Sequence, residues 1–310
     1  MLHPLFYKIE PCFMKRIYFF TCLFAMLMTW SISAQQTGQD STGLPGDNFS
    51  LQGALDLFKK AASPEEFEKA LNTESNHVNN LDLDQDDKID YVRVVDKSDD
   101  KAHALILQVP VTEKESQDIA VIELEKNGEE SAMIQIVGDS AIYGEEVIVE
   151  PSADAKEESA QKGKGPNANY EVDEPIVVVN VWGWPSVRYV YAPVYHPWVS
   201  PYHYHYYPPY WHPWPPAAWH VWHPYHYHYH SVYVITPTHR VVHAHGVYSP
   251  YRATSVTVHK HYARPVNHYR VNTHTTTVHG PHGHQTTMKQ TTVRGPNGHV
   301  KGKKTTVRHH

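Results

Sequence analysis

Residues 89–125 read IDYVRVVDKSDDKAHALILQVPVTEKESQDIAVIELE, with apolar and polar residues alternating between short polar turns. Successive side chains of a strand point to opposite faces, so a period of two predicts β-strands with one face toward a core. Strands joined by such short turns pair with their neighbours as an antiparallel meander. The pattern predicts strands at 89–96, 103–111, 118–125, 131–137 and 142–150.

Two helices are predicted immediately before these strands. Leu51, Ala54, Leu55, Phe58 and Ala62 recur at helical spacing. A second helix is indicated at 63–66, where a capping serine precedes a proline and a glutamate follows the cap by three residues. The fold class predicted is therefore α+β, with two N-terminal helices followed by a small antiparallel sheet in an acidic domain at 49–151.

The N-terminal residues predict export. Residues 1–13 are interpreted as an upstream start assigned in error, 14–34 as a cleaved signal peptide and 35–48 as a polar leader; an uncleaved anchor is the alternative for 14–34. The apolar run is about 14 residues, shorter than the roughly 20 that a spanning helix needs, so no transmembrane span is expected in the mature chain. Cys22 lacks the small preceding residue of a lipoprotein signal. With no cysteine after the signal, disulfides and thiolate sites are excluded.

Charge divides the mature chain into two unlike halves. All 33 acidic residues lie at or before Glu174, whereas residues 175–310 carry 12 Lys or Arg, 22 His and no carboxylate. Residues 152–175, rich in Ala, Ser, Glu, Lys and Gly, are predicted to be a solvated linker. A tail without anions needs counter-charges elsewhere. Its own acidic half, a polyanion and a metal complex all remain open as the source.

The tail itself has two parts. Residues 176–246 are rich in Tyr, Trp, His and Pro, a composition that favours irregular extended backbone with at most a short helix at 217–223. Residues 247–310 are basic, and TTVHGPHGH (276–284) returns as TTVRGPNGH (291–299) and TTVR (305–308). Gly-Pro-x-Gly between β-prone residues predicts short hairpin repeats. Because Leu and Phe are absent, the tail is predicted to be largely irregular or disordered without a partner.

An Asp-rich loop is the sharpest local motif. Its spacing matches a Ca²⁺ loop with an aliphatic residue, Ile89, turned to the core. The loop resembles those of EF-hands and of exported β-repeat domains, although Asp87 stands at the usual glycine and Arg93 at the bidentate glutamate. The alternative is an acidic exposed turn without an ion. The predicted ligands are the carboxylates of Asp82, Asp84, Asp86 and Asp90, with Lys88 contributing its carbonyl.

The histidines are candidate ligands for Zn²⁺, Cu²⁺ or Ni²⁺, which accept imidazole readily. In an extended backbone His226, His228 and His230 would lie on one face, and His243 and His245 form a further pair. The alternative is a weakly basic aromatic surface without a metal role.

The tryptophans and tyrosines of 182–222 suit wet interfaces and sugar faces. With the basic charge, they indicate adhesion to an anionic envelope glycan or lipopolysaccharide, or self-association; nucleic acid is disfavoured for an exported protein. The sequence contains no nucleophile elbow, His-Glu-x-x-His helix or phosphate loop, so an enzyme is not expected.

The motif order of the mature chain resembles a group of exported proteins of Gram-negative bacteria without known activity. The residues that carry the resemblance are NLDLD (80–84), DYVRV (90–94), NVWGWPSVRYVY (180–191) and the terminal TTVRGPNG. The resemblance implies export and a periplasmic, outer-membrane-associated or extracellular location. The predicted function is a non-enzymatic envelope or surface protein, and the alternative is a His-rich periplasmic metal-binding protein.

Overall fold

The computed structural model describes residues 41–152, 178–229, 232–279, 285–294 and 300–309, without the side chains of 226–227, 268–290, 301 and 308–309. The predicted start, signal peptide and most of the leader and linker lie outside these ranges. His230 and the two Gly-Pro-x-Gly turns also lie outside them, as does the side chain of His226.

Two capped helices begin the described chain. Helix α1 is Leu51–Lys60, and the Ser50 side chain accepts from Gly53 N at 3.0 Å. Helix α2 is Pro64–Leu71, and its Ser63 cap accepts from Glu66 N at 3.2 Å. Both helices lie where their periodicity and caps place them, because these signals are local. Short 3₁₀ turns at Pro45–Asn48 and Glu74–Asn76 flank the pair.

A six-stranded antiparallel sheet forms the centre, with the strands in sequence order. β2 is buried along its whole length, so both faces of the sheet are covered. The helices α1 and α2 contribute to the core on one face, and helix α6 (Val242–Tyr248) packs on the other. The strands are β1 Arg93–Ser98, β2 Ala102–Pro110, β3 Ser116–Gly128, β4 Ser131–Gly138, β5 Val147–Pro151 and β6 Tyr233–Thr236.

The predicted fold class is wrong. The sheet is not a small one following a helix pair, because its sixth strand comes from the aromatic segment and pairs with β5. The region predicted as one strand at 142–150 is split. Asp139 caps a short helix α3 (Ser140–Tyr143), which Gly144 ends at φ +76° before β5 begins.

The predicted irregular tail is wrong in part, because residues 191–218 lack helices and extended strands whereas the described tail on either side of them forms regular elements. The tail contributes helices α4 Pro185–Val190, α5 Trp219–His226, α6 and α7 Val256–Arg270, besides 3₁₀ turns at Tyr227–Tyr229 and Ser249–Tyr251. The physical reason is that Val and Tyr replace the absent Leu and Phe. Val181, Val187, Val190, Tyr233 and Val258 are at most 2% exposed in the main core.

The end of the chain forms a second, three-stranded antiparallel sheet. Its strands are β7 Val271–His279, β8 Gln285–Arg294 and β9 Val300–His309. β8 pairs with both neighbours, and the predicted Gly-Pro-x-Gly turns between these strands lie outside the described residues. Within the described ranges, no helix has the length and apolar character needed to cross a membrane.

Candidate functional site

Buried carboxylates of the acidic half bind donors of the tail. Glu68 on α2 is 1% exposed. Its carboxylate accepts from the Ser200 hydroxyl at 2.8 Å and from Trp198 Nε1 at 3.3 Å. Within the acidic half it also accepts from Val94 N at 2.7 Å and the Tyr91 hydroxyl at 2.9 Å. Burial raises the pKa of Glu68, and these four donors oppose that rise because they stabilise the ionised form.

Asp118 on β3 likewise accepts hydrogen bonds from the tail, on the other face of the sheet. Its Oδ2 accepts from Ala253 N at 2.8 Å and from the Tyr248 hydroxyl at 3.0 Å, both from the tail. Its Oδ1 accepts from Gln108 Nε2 at 2.6 Å. Burial raises the pKa of Asp118 in the same way. Two interior carboxylates therefore hold the tail on opposite sides of the sheet.

Charged pairs continue this arrangement along residues 240–252. Arg252 donates through Nε and Nη2 to the two oxygens of Asp139, at 2.6 and 3.0 Å. Arg240 Nε lies 3.1 Å from Glu150, and His243 Nε2 lies 2.7 Å from Asp99. The sequence left three sources of counter-charge open. For residues 240–252 the counter-charges come from the acidic half of the same chain.

One carboxylate is shared by two histidines. Glu123 on β3 is fully buried, and its Oε1 lies 2.7 Å from His245 Nδ1 on α6. Its Oε2 contacts His239 Nε2. The three ligand atoms lie within 4.8 Å of one another, so this group could hold a metal ion. The two imidazoles meet edge to face, with ring centroids 4.6 Å apart.

The surroundings of this cluster are charged and partly open. The hydrogen bond to Glu123 is the largest cause of a raised pKa at His245, and Glu146 adds to it. His245 also lines a cavity of about 260 Å³ together with Glu146, Tyr248 and Arg252. His245 therefore lies between the buried Glu123 and this cavity.

The Asp-rich loop brings three of its five predicted ligands together. One ligand oxygen each from Asp82, Asp84 and Asp86 lies within 4.8 Å of the others, so this second group could also hold a metal ion. Asp87 adopts φ +62°, the left-handed conformation for which glycine is favoured at this point of a Ca²⁺ loop. Ile89 is 2% exposed and faces the core. Burial raises the pKa of Asp82 and of Asp84.

The Asp90 carboxylate and the Lys88 side chain make contacts of their own, whereas the ligand predicted from Lys88 was its carbonyl. The Asp90 carboxylate accepts from Leu83 N at 2.6 Å, and burial raises its pKa well above the usual range. Lys88 Nζ lies 3.2 Å from Asp86. The loop is also held by the tail, since the Tyr262 hydroxyl donates to the Asp82 carbonyl at 2.9 Å.

Among the predicted histidine ligands whose side chains are described, His228, His243 and His245 have different neighbours. His245 joins Glu123, whereas His243, two residues earlier, pairs with Asp99. His228 is exposed, with its ring 5.1 Å from that of Tyr229. Sequence reasoning missed Glu123 and His239, which are 116 residues apart. The one sequence signal for this group was a carboxylate, Glu123, at an inward-facing position of a buried strand.

Comparison with known proteins found no match to a protein-family model, to a curated protein or to a solved structure.

Proposed function

We propose that this protein is a non-enzymatic exported protein of the cell envelope, whose acidic scaffold displays a cationic β-sheet to an anionic glycan or lipopolysaccharide. One observation carries the proposal. The cations at 240 and 252 are paired with carboxylates of the acidic half, whereas Lys303 and Lys304 on β9 are exposed. Residues 271–310 contain six Lys or Arg and no acid, and one of them, Arg294, lies 3.3 Å from Glu145 of the acidic half. Lys303 and Lys304 therefore leave positive charge on the second sheet that is open to an outside partner.

A sheet of this kind suits a polymeric anion better than a single small one. Each exposed charge contributes little alone, because water and salt screen it within about 10 Å at 0.1 M. Several cations on adjacent strands meet several anionic groups of one polymer, and the linked contacts add as avidity. The acidic half of a second copy is the competing polyanion, so self-association is the alternative outcome.

The first prediction concerns Lys303 and Lys304. Changing both to Gln should lower the salt concentration that elutes the protein from an anionic-polysaccharide column, because two exposed contacts are lost. The matched control is Lys101→Gln with Lys114→Gln, two exposed lysines of the acidic half with the same charge change. Retention should also rise on acidification from pH 7.5 to 5.5, as exposed imidazoles of pKa about 6.5 gain charge.

If the Lys303/Lys304 variant and the Lys101/Lys114 variant lose the same amount of retention, the loss is a general effect of charge. That result would contradict binding through the second sheet. Gel filtration at low salt separates the self-association alternative. If the wild type elutes as a dimer and the Lys303/Lys304 variant as a monomer, the partner of the sheet is another copy of the chain.

The Asp-rich loop is proposed to hold Ca²⁺ as a structural ion of this scaffold. Support comes from the three converging carboxylates and from the turn at Asp87, since Ca²⁺ prefers several hard oxygen ligands on a sharply turned loop. Burial and the charge of Asp84 raise the pKa of Asp82, and burial and the charge of Asp86 raise that of Asp84; a bound cation would relieve both. An exposed acidic turn without an ion remains the alternative.

The second prediction is that the thermal midpoint rises in millimolar Ca²⁺ and falls in chelator, because an ion bound only by the folded state stabilises it. Asp84→Asn should abolish most of this response. Asp87→Asn is the matched control, because it removes the same charge from the same loop at a side chain outside the three-carboxylate group. A response that survives Asp84→Asn, or none in the wild type, excludes the site.

Binding of Zn²⁺, Cu²⁺ or Ni²⁺ in the periplasm is the second candidate function. The observation that favours it is the meeting of His245 with another histidine and a buried carboxylate. These ions accept imidazole and carboxylate ligands together.

A further inference from the structure

We propose that Glu123, His239 and His245 form one defined Zn²⁺ site, built where the tail crosses the face of the main sheet. The inference rests on the second candidate function, metal binding, and is independent of the cationic sheet. It replaces the predicted runs of neighbouring histidines by a set of ligands from distant parts of the chain. One ligand comes from β3, one from the segment before α6 and one from α6 itself.

The spacing of the ligand atoms fits a small cation. Zn²⁺ binds imidazole nitrogen at about 2.0–2.1 Å and carboxylate oxygen at about 2.0–2.2 Å, so its ligand atoms stand roughly 3.4 Å apart in a tetrahedron. The three atoms here already lie within 4.8 Å of one another, with one pair at 2.7 Å. Side-chain adjustments of less than about 1 Å would admit the ion, which is within ordinary rotamer freedom.

The chain around both histidines is anchored, which favours a preformed site. The amide of Arg240, the residue after His239, donates to Gln135 Oε1 on β4 at 2.8 Å. Val241 is fully buried, and α6 begins at the next residue. The helix then places His245 over β3. A site held by such supports loses less entropy on binding than one in a flexible histidine run.

The competing interpretation uses the same three side chains. In it, both imidazoles donate hydrogen bonds to Glu123 and no ion binds, which also satisfies a buried carboxylate. The two interpretations differ in the state of the imidazole nitrogens that face Glu123. Without an ion these nitrogens carry protons, and with an ion they donate their lone pairs to the metal. Only a measurement of metal binding with the folded protein distinguishes them.

Three protein ligands leave a coordination position for water or a small anion, as two His and one Glu do in zinc sites with an open position. His245 lines the cavity of about 260 Å³, so one of the three ligands borders open space. Asp139, Glu146 and Arg252 line the same cavity and are the charged groups that a molecule bound there would meet.

The third prediction is a Zn²⁺ titration of the full chain in competition with a chromophoric chelator. The wild type should take up one tightly held equivalent. His239→Ala, His245→Ala and Glu123→Gln should each weaken that binding at least about tenfold, the effect of losing one ligand. His243→Ala is the control, since it removes a histidine of the same helix that pairs with Asp99. It should leave the tight equivalent intact.

Each outcome decides between the claims. If the wild type binds no Zn²⁺ at micromolar concentration, both metal binding and this site are wrong. If the tight equivalent persists in His239→Ala and His245→Ala, metal binding stands and the site lies elsewhere. Circular dichroism checks that the variants fold. If Glu123→Gln does not fold, zinc-edge X-ray absorption of the wild type takes the place of this variant. A zinc ligand shell other than two imidazoles with carboxylate or water oxygens would overturn the assignment.

Discussion

Replacing Glu68 with alanine is expected to lower the free energy of unfolding by about 3 kcal/mol, because four buried donors lose their acceptor together. Two of these donors, on Ser200 and Trp198, belong to the tail, and the other two, on Val94 and Tyr91, belong to the acidic half. The loss should therefore loosen the tail as well as the scaffold. Urea denaturation followed by tryptophan fluorescence reports the tail, since every tryptophan after residue 30 lies there, and circular dichroism of the same samples reports the scaffold.

The matched control is Glu65→Ala, one turn earlier on the same helix, where the side chain is exposed. It should change stability by less than about 0.5 kcal/mol, as surface substitutions usually do. An equal effect of the two variants would show that the Glu68 contacts with Ser200 and Trp198 do not hold the tail.

The pH dependence of this site has a definite sign. Burial raises the pKa of Glu68 in the folded state above the usual 4.5. The folded protein then binds this proton more tightly than the unfolded chain, so this group's contribution to stability improves as the pH falls through the folded pKa. As the pH falls from 7 toward 4.5, the wild type should gain stability relative to Glu68→Gln, which cannot titrate. A constant difference would contradict the raised pKa.

Local signals in the sequence were sufficient for the first half of the scaffold. Ser50 and Ser63 cap helices that begin at the next residue, and the alternation at 103–111 gives a strand at Ala102–Pro110. These features depend on neighbours within a few residues. The same rule failed at 142–150, because a capping Asp139 and a left-handed Gly144 outweighed the alternation of the apolar residues.

The packing of the tail could not be read from composition. Absence of Leu and Phe predicted disorder, yet Val187 and Tyr233 fill the core, and buried polar contacts supply much of the rest. The partners of Ser200 and Tyr248 are 132 and 130 residues away in sequence. No sequence periodicity links a hydroxyl to a carboxylate at that distance. The charge split therefore indicated that the two halves are complementary, but it did not show which residues of the two halves would meet.

The candidate sites divide in the same way. Asp82, Asp84 and Asp86 were found because their spacing lies within one loop, whose turn at Asp87 brings them together. Glu123 and His239 were missed because the pairing of strands and the path of the tail bring them together. A histidine-rich run is conspicuous in sequence, but chelation by a folded protein needs ligands from elements that hold one another in place.

The tail is expected to exchange its backbone amide hydrogens as slowly as the main sheet. Val181 N donates to the Ala132 carbonyl at 3.0 Å, and Ser200 N donates to the Val94 carbonyl at 3.0 Å. β6 completes the sheet at its other side by pairing with β5. Because these amides are bonded to the scaffold, they should open only when the scaffold does, and such global opening slows exchange by a factor of at least about 10³.

The most direct test of whether the acidic half folds together with its own tail is hydrogen–deuterium exchange of the full chain. The exchange is followed by mass spectrometry at pH 7, without added metal or polyanion. Peptides covering 181–200 and 232–236 should stay protected for as long as those of β2 and β3, and Glu68→Ala should accelerate exchange in 198–200. Complete exchange of the tail peptides within seconds, while β2 and β3 remain protected, would contradict an intramolecular complex of the two halves.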